Sequence, residues 1–229
     1  MIERLICLVI GYLFGLIQTG YIVGKLKGID IREHGSGNSG TTNTLRTMGL
    51  KYGLIVLAGD AIKCGLAIIV VRLIFKGDAA ALPLLSIYAA TGVILGHNFP
   101  VHMKFKGGKG FAATAGFVIF GLGPIMTLIC LAIFLLVFFT THYVSLGAVV
   151  IYTTLLISTF FYWKFDLFGF TENGMPQYYI EYLVIIILLF IMILIRHKDN
   201  LKRLKDGNER KTYLKGKPEI DVDKKQGEI

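Results

Sequence analysis

Apolar stretches of close to 20 residues recur along this 229-residue chain, each followed by a short polar break. A helix rises 1.5 Å per residue, so about 20 such residues span the hydrocarbon core of a bilayer. Hydrophobic residues make up 54% of the chain and the mean hydropathy is +0.65, more apolar surface than a soluble core can use. The pattern predicts an all-α, polytopic membrane protein with spans near 4–24, 53–75, 80–98, 111–122, 124–141, 143–163 and 179–196, seven in all. The run from 111 to 141 is too long for one comfortable crossing, and Gly121-Leu122-Gly123-Pro124 divides it into two rather short pieces. If that break were only a kink, the count would fall to six.

Charge separates the two counts. With seven spans, Lys25, Lys27, Arg32, Arg46, Lys51, Lys104, Lys106, Lys109 and the eleven cationic residues from Arg196 onward share one face. Arg4, Arg72, Lys76 and Lys164 keep the other, and Lys63 lies inside a span. The positive-inside rule then puts the C-terminus and the basic loops in the cytoplasm and the N-terminus outside. Six spans would split the charge. The net charge of +9 therefore speaks of topology and not of nucleic acid, for which no module is present. Cys7, Cys64 and Cys130 are odd in number, widely spaced and apolar in setting, which predicts packing residues and neither disulfides nor a metal cluster. The first apolar run lacks a small-residue cleavage pattern and reads as a retained span. The segment from Trp163 to Gln177 reads as an outer interfacial connector, with Trp163 in a belt position. Residues 1–210 read as one membrane-embedded domain and 211–229 as a charged, loose tail.

Polar chemistry gathers on the basic face. Residues 96–110 carry three lysines, two histidines and four glycines, a composition that cannot lie in hydrocarbon. Glycine lets backbone approach an anion and lysine neutralises it, so the stretch suits a phosphate; a basic loop that only sets topology is the alternative. Residues 35–46 begin as a glycine turn and continue as a short interfacial helix, with Asn38 or Ser39 as its N-cap. Ser39, Asn43 and Arg46 then form a polar stripe, and the helix start and Arg46 would favour an anion. At the end of the last span His197 and Asn200 share a helix face. Asp60 and Lys63 sit within the second span at i, i+3, which predicts an internal ion pair supporting the site. Ser145 either donates to a ligand or bonds back to its own helix.

Taken together, Ser36-Gly37-Asn38-x-Gly40-x-x-Asn43-x-x-Arg46, Gly96-His97 through Lys104-Phe105-Lys106-Gly107-Gly108-Lys109-Gly110, and His197-x-x-Asn200-x-x-Arg203-Leu204 with Glu209 resemble the PlsY family of bacterial membrane acyltransferases. The resemblance runs over nearly the whole chain. It implies a seven-span inner-membrane enzyme that moves an acyl group from acyl phosphate to the 1-hydroxyl of glycerol 3-phosphate, giving lysophosphatidic acid and phosphate, at the start of phospholipid synthesis. It further implies no cofactor and no metal, a monomer in contact with membrane lipid, and an active site on the cytoplasmic side. Carried over by motif, Ser36, Arg46, His197 and Asn200 are the catalytic candidates. Asn38, Asn43, His97, Lys104, Lys106, Gly107, Gly108 and Lys109 would bind phosphate, and Ser145, Asp60, Lys63 and Glu209 would support them. No Ser-His-Asp set is evident, and no His is followed five residues later by Asp, which separates the chain from the coenzyme-A-dependent glycerolipid acyltransferases. Either a substrate phosphate accepts the hydroxyl proton or His197 does. A secondary transporter of an organic phosphate is the rival reading, but no inverted repeat is visible and the polar residues lie at one surface. A membrane scaffold would leave the glycine-rich loops unexplained.

Overall fold

The computed structural model describes residues 1–165 and 175–223, with side chains for 1–161 and 177–223. Among them every regular element is helical: α1 (Ile2–Gly15), α2 (Thr19–Leu26), α3 (Thr41–Met48), α4 (Leu50–Ile74), α5 (Leu82–Asn98), α6 (Phe111–Gly121), α7 (Pro124–Thr141), α8 (Val144–Phe165), α9 (Tyr179–Arg196) and α10 (Lys198–Lys205), with short 3-10 turns between some of them. Among the described residues, six stretches are long and apolar enough to cross a membrane: Ile2–Leu26, Leu50–Ile74, Leu82–Met103, Pro124–Thr141, Val144–Phe161 and Tyr179–Arg196. The seventh predicted span, α6, is apolar but has only 11 residues, about half a hydrocarbon core in length.

Glycines set the helix directions. Gly11 and Gly15 of α1 lie against Ala89, Val93 and Gly96 of α5, and Gly92 and Gly96 lie against Leu8 and Tyr12, so the two helices run parallel with their backbones in contact. In lipid, where apolar burial drives little association, such close approach is what holds helices together. A Cβ at Gly92 would collide with the Leu8 carbonyl oxygen. Gly92→Val is therefore expected to lower the melting temperature in detergent by roughly 5 °C or more, the cost of overpacking. An unshifted melt would show that the two helices can separate freely.

α6 runs parallel to α4, with Gly116 on Ala61 and Phe120 on Gly65. The break at 121–124 is a reversal and not a kink. Phe111 at the start of α6 has its ring 5.5 Å from that of Phe134, well inside α7, whereas 23 residues of continuous helix would separate them by roughly 35 Å. Gly123, at φ +84°, supplies the left-handed turn, and Pro124 opens α7 where its missing N–H costs nothing. Glu181 accepts from Arg4 Nη2 at 2.8 Å and from Tyr88 at 2.6 Å, which gathers the N-terminal ends of α1, α5 and α9 on one face. The N-terminus thus lies opposite the end of α9 and the chain that follows.

The first predicted span, 4–24, is two helices. The chain breaks at 16–18 because a polar node sits there. The buried Gln18 amide donates to the carbonyls of Gly15 at 3.1 Å and His97 at 3.1 Å, and Lys63 Nζ donates to that of Ile17 at 2.6 Å. Helix-terminal carbonyls of α1 and α5 are thereby satisfied without water. The segment from 211, expected to be loose, touches the bundle at two points, where Thr212 and Val222 are buried, and is mostly exposed between them. Cys7 and Cys64 lie in the main core with Ile68, Leu84, Phe117 and Ile186, and Cys130 in a second cluster, all unpaired. Exposed leucines and isoleucines line α1, α4, α7 and α9, as lipid-facing helices require. The outer connector and the belt position of Trp163 fall outside the described residues.

Candidate active site

Two polar lobes are linked through Arg46 of α3, whose guanidinium feels the Glu209 charge, and a cleft of about 440 Å³ lined by Asp30, Arg32, Glu33, Gly37, Phe105, Lys106, Gly107 and Arg196 shares Gly37 with the first of them. The first lobe is the glycine turn leading into α3. The N-cap position is Gly40 and not Asn38 or Ser39, so no side chain bonds the first-turn N–H groups and the helix start is uncapped. Asn38 accepts instead from the Gly40 N–H, and Ser39 faces Gln18. Asn43 Oδ1 accepts from both the N–H and the hydroxyl of Ser36, at 2.7 and 3.0 Å, while its amide donates to the carbonyls of Ile31 and His34. Asn43 thus ties the turn to the helix. Thr41 Oγ1, at the uncapped start, is buried without a partner. An open helix N-terminus beside an unused hydroxyl favours an anion.

The second lobe is built on Glu209. Its Oε1 accepts from Ser145 at 2.9 Å and from Asn200 Nδ2 at 2.6 Å, and its Oε2 accepts from Arg203 Nε at 2.9 Å. Burial pushes this carboxyl up, but the three donors outweigh burial and hold it below the ordinary carboxylate range. Asn200 Oδ1 in turn accepts from Lys109 Nζ. Ser145 therefore serves neither a ligand nor its own helix, but this carboxylate. Burial holds Lys109 down to about 8, with Glu209 opposing and Arg203 and Arg196 reinforcing the shift. Burial likewise holds His197 down to about 4, with Lys109 adding to the effect. The His197 Nδ1 lies 3.0 Å from the Ile193 carbonyl. A carbonyl only accepts, so Nδ1 carries the proton and Nε2 keeps its lone pair.

Beneath the lobes, Lys63 Nζ donates to Asp60 Oδ1 at 2.8 Å, to the Ile17 carbonyl and to His97 Nδ1 at 2.9 Å. Three acceptors use all three ammonium protons. With Nδ1 accepting, His97 Nε2–H is directed at Gly108, where no Cβ would fit. Gly107 and Gly108 spend their N–H groups on the carbonyls of Asn98 and His97, and their own carbonyls accept from Arg196 at 3.1 and 2.6 Å. The two glycines are thus packed between α5 and α9, with their N–H groups already bonded to α5 carbonyls. Lys106 lines the cleft, and Lys104, at φ +52°, is exposed.

A model of the glycerol-3-phosphate acyltransferase family matches residues 5–207. The chain belongs to that family. Members similar to it include glycerol-3-phosphate acyltransferases of Alkaliphilus metalliredigens, 36% identical over 91% of this chain and 95% of the relative, and of Bacillus subtilis, 38% identical over 89% and 95%. Among solved structures, PlsY (YgiH), an integral membrane glycerol 3-phosphate acyltransferase in its glycerol 3-phosphate form, superposes with a TM-score of 0.74 at 31% identity, covering 92% of this chain and 96% of that one. Its lysophosphatidic acid form superposes at 0.71.

Within this acyltransferase fold the structure brings Lys109, Ser145, Asn200 and Glu209 into one bonded network, with His197 close enough to Lys109 and Glu209 to feel their charge. Arg46 also feels Glu209. Asp60, Lys63 and His97 form the layer below. Sequence reading missed Gln18, Thr19, Arg196 and Thr212. Thr19 donates to Asp60 Oδ1 at 2.9 Å, and Arg196 stacks on Phe99 as well as holding the glycines. A glutamine inside an apolar run was the available signal for the first. Arg196 reads in the sequence only as a topology charge, and nothing in the local sequence marks Thr212.

Lys109 sets a pH limit. Its charge is complete well below pH 8 and is lost as pH rises through that value. If Lys109 holds a substrate phosphate, the KM for that substrate is expected to climb above pH 8, by up to about tenfold per pH unit, while Lys109→Arg stays flat because guanidinium does not titrate there. A wild-type KM that is level through this range would remove Lys109 from the phosphate site.

Proposed function

We propose that this chain transfers an acyl group from acyl phosphate to the 1-hydroxyl of glycerol 3-phosphate, releasing phosphate and lysophosphatidic acid, on the cytoplasmic face of a bacterial cell membrane. The observation that carries the reading is the linkage of two anion-ready lobes through Arg46, on a family fold whose solved member is described with glycerol 3-phosphate and with lysophosphatidic acid. Two anionic reactants need two cationic seats. The uncapped start of α3, with Ser36, Thr41 and Arg46, suits one phosphate; Lys109, with Asn200, suits the other. The basic face of the fold, opposite the N-terminus, is the cytoplasmic one by the positive-inside rule.

In the step itself the glycerol oxygen attacks the acyl carbonyl carbon, the carbon–oxygen bond to phosphate breaks, and the hydroxyl proton passes to a phosphate oxygen. His197 Nε2, the unprotonated nitrogen, accepts the hydroxyl hydrogen bond and aims the oxygen. Held down to about 4, this imidazole is a poor acceptor for a whole proton, whereas a phosphate dianion, with a second pKa near ~6, is a better one. The protein then contributes orientation and fixed charge. His197→Gln, which keeps a hydrogen-bonding group there, is expected to cost less than about tenfold in turnover. Complete loss with glycerol 3-phosphate binding unchanged would make His197 the base.

The donor is tested directly. Purified protein is offered acyl phosphate, acyl coenzyme A or acyl carrier protein, and lysophosphatidic acid is assayed. Product from acyl phosphate alone is expected; product from either thioester at a comparable rate would overturn the donor assignment.

A further inference from the structure

The chain beyond Gly207 lies outside the stretch that the family model matches, yet it bonds to Arg46, a residue of the candidate site. After Glu209, the Arg210 carbonyl and the Thr212 hydroxyl each accept from Arg46 Nη2, both at 2.7 Å. Thr212 is buried, and its N–H donates to the His142 carbonyl at 2.9 Å in the turn between α7 and α8. The next ring, Tyr213, packs on the His142 ring with centroids 4.7 Å apart. The chain then crosses to the corner of α3 and α4, where the N–H groups of Glu219 and Ile220 donate to the carbonyls of Arg46 and Thr47. Ile220 and Val222 pack with Ile29, Ile31, Met48 and Tyr52, and Asp223 accepts from Tyr52 and from Lys27.

Arg46 is therefore held twice by this strap, through its carbonyl and through its guanidinium. Both acceptors on the guanidinium are neutral, and among the described residues no carboxylate pairs with it. A carbonyl and a hydroxyl fix the plane of the fork and leave its positive charge unspent. Its Nε is buried with no partner, a donor still available to a ligand. Ordering a long cationic side chain before the substrate arrives removes that cost from binding.

We infer that Thr212 is a positioning residue, held by a C-terminal strap of residues 209–223, that sets the Arg46 guanidinium for a substrate phosphate. The inference rests on the reading of Arg46 as a phosphate ligand. It is tested in the full-length enzyme with Thr212→Val, which removes the acceptor, and Thr212→Ser, which keeps it. Loss of a hydrogen bond to a charged group is expected to raise the KM of one of the two phosphate substrates about tenfold in Thr212→Val, with turnover changed less than about threefold and Thr212→Ser close to the parent. Both KM values within about twofold of the parent, or a serine variant as impaired as valine, would overturn it. If Thr212→Val does not fold, Val222→Asp releases the strap from its far end and is expected to raise the same KM; an unchanged KM overturns the inference. A parent inactive with acyl phosphate removes only the proposed reaction. The strap is then read from binding: inorganic phosphate should raise the parent's melting temperature and raise that of Thr212→Val less, and equal stabilisation would overturn the inference.

Discussion

Lys109→Ala is expected to cut lysophosphatidic acid formation by about 100- to 1,000-fold, the scale on which a preorganised charge in a water-poor site acts on a transition state. Three lysines share this loop, and their settings differ. Lys104 and Lys106 are exposed, where bulk water screens a charge strongly and its removal costs little. Lys109 is largely withdrawn from solvent, and the group bonded to its ammonium is the neutral Asn200 amide. Glu209, the nearest carboxylate in that network, is already engaged by Ser145, Asn200 and Arg203. The lysine charge is thus oriented but not cancelled, which is what an incoming phosphate needs. Lys104→Ala is expected to stay within about threefold of the parent. Similar losses in both variants, or a loss under about tenfold for Lys109→Ala, would move the phosphate elsewhere. KM for both substrates, measured in the same assay, assigns the one it holds.

The second large effect is on stability. Asp60→Ala leaves the Lys63 ammonium buried in the bundle without its counter-charge and leaves the Thr19 hydroxyl without its acceptor. Breaking a buried pair from one side costs about 3 to 5 kcal/mol, or roughly 10 °C in melting temperature for a chain of this size. The double variant Asp60→Ala/Lys63→Met is expected to recover much of the loss, because removing both charges leaves neither stranded. It should not recover activity. Lys63 also orders His97, whose ring fills the space above which Gly108 passes, and the glycine turn carries Lys109 into place. A melt of Asp60→Ala within about 3 °C of the parent would show the pair to be solvated or dispensable.

The long apolar runs and the one-sided charge already dictated a helical membrane bundle, because unsatisfied backbone cannot enter hydrocarbon and cations avoid crossing it. The three polar motifs already named the residues worth watching, since glycine, lysine and amide side chains have few uses at the rim of such a bundle. Gly121-Leu122-Gly123-Pro124 marked a break, but only the contact of Phe111 with Phe134 decided that the chain turns back there. Ser145 could have faced a ligand or its own helix; the arrival of Glu209, 64 residues later in the chain, decided otherwise. The interrupted first span, the grip of Arg196 on two glycine carbonyls and the lodging of Thr212 against Arg46 were likewise invisible in one dimension. Each depends on which orphaned donor or acceptor lies within about 3 Å once helices distant in sequence pack together. Local composition limits what a residue can bond; only the folded arrangement selects the partner.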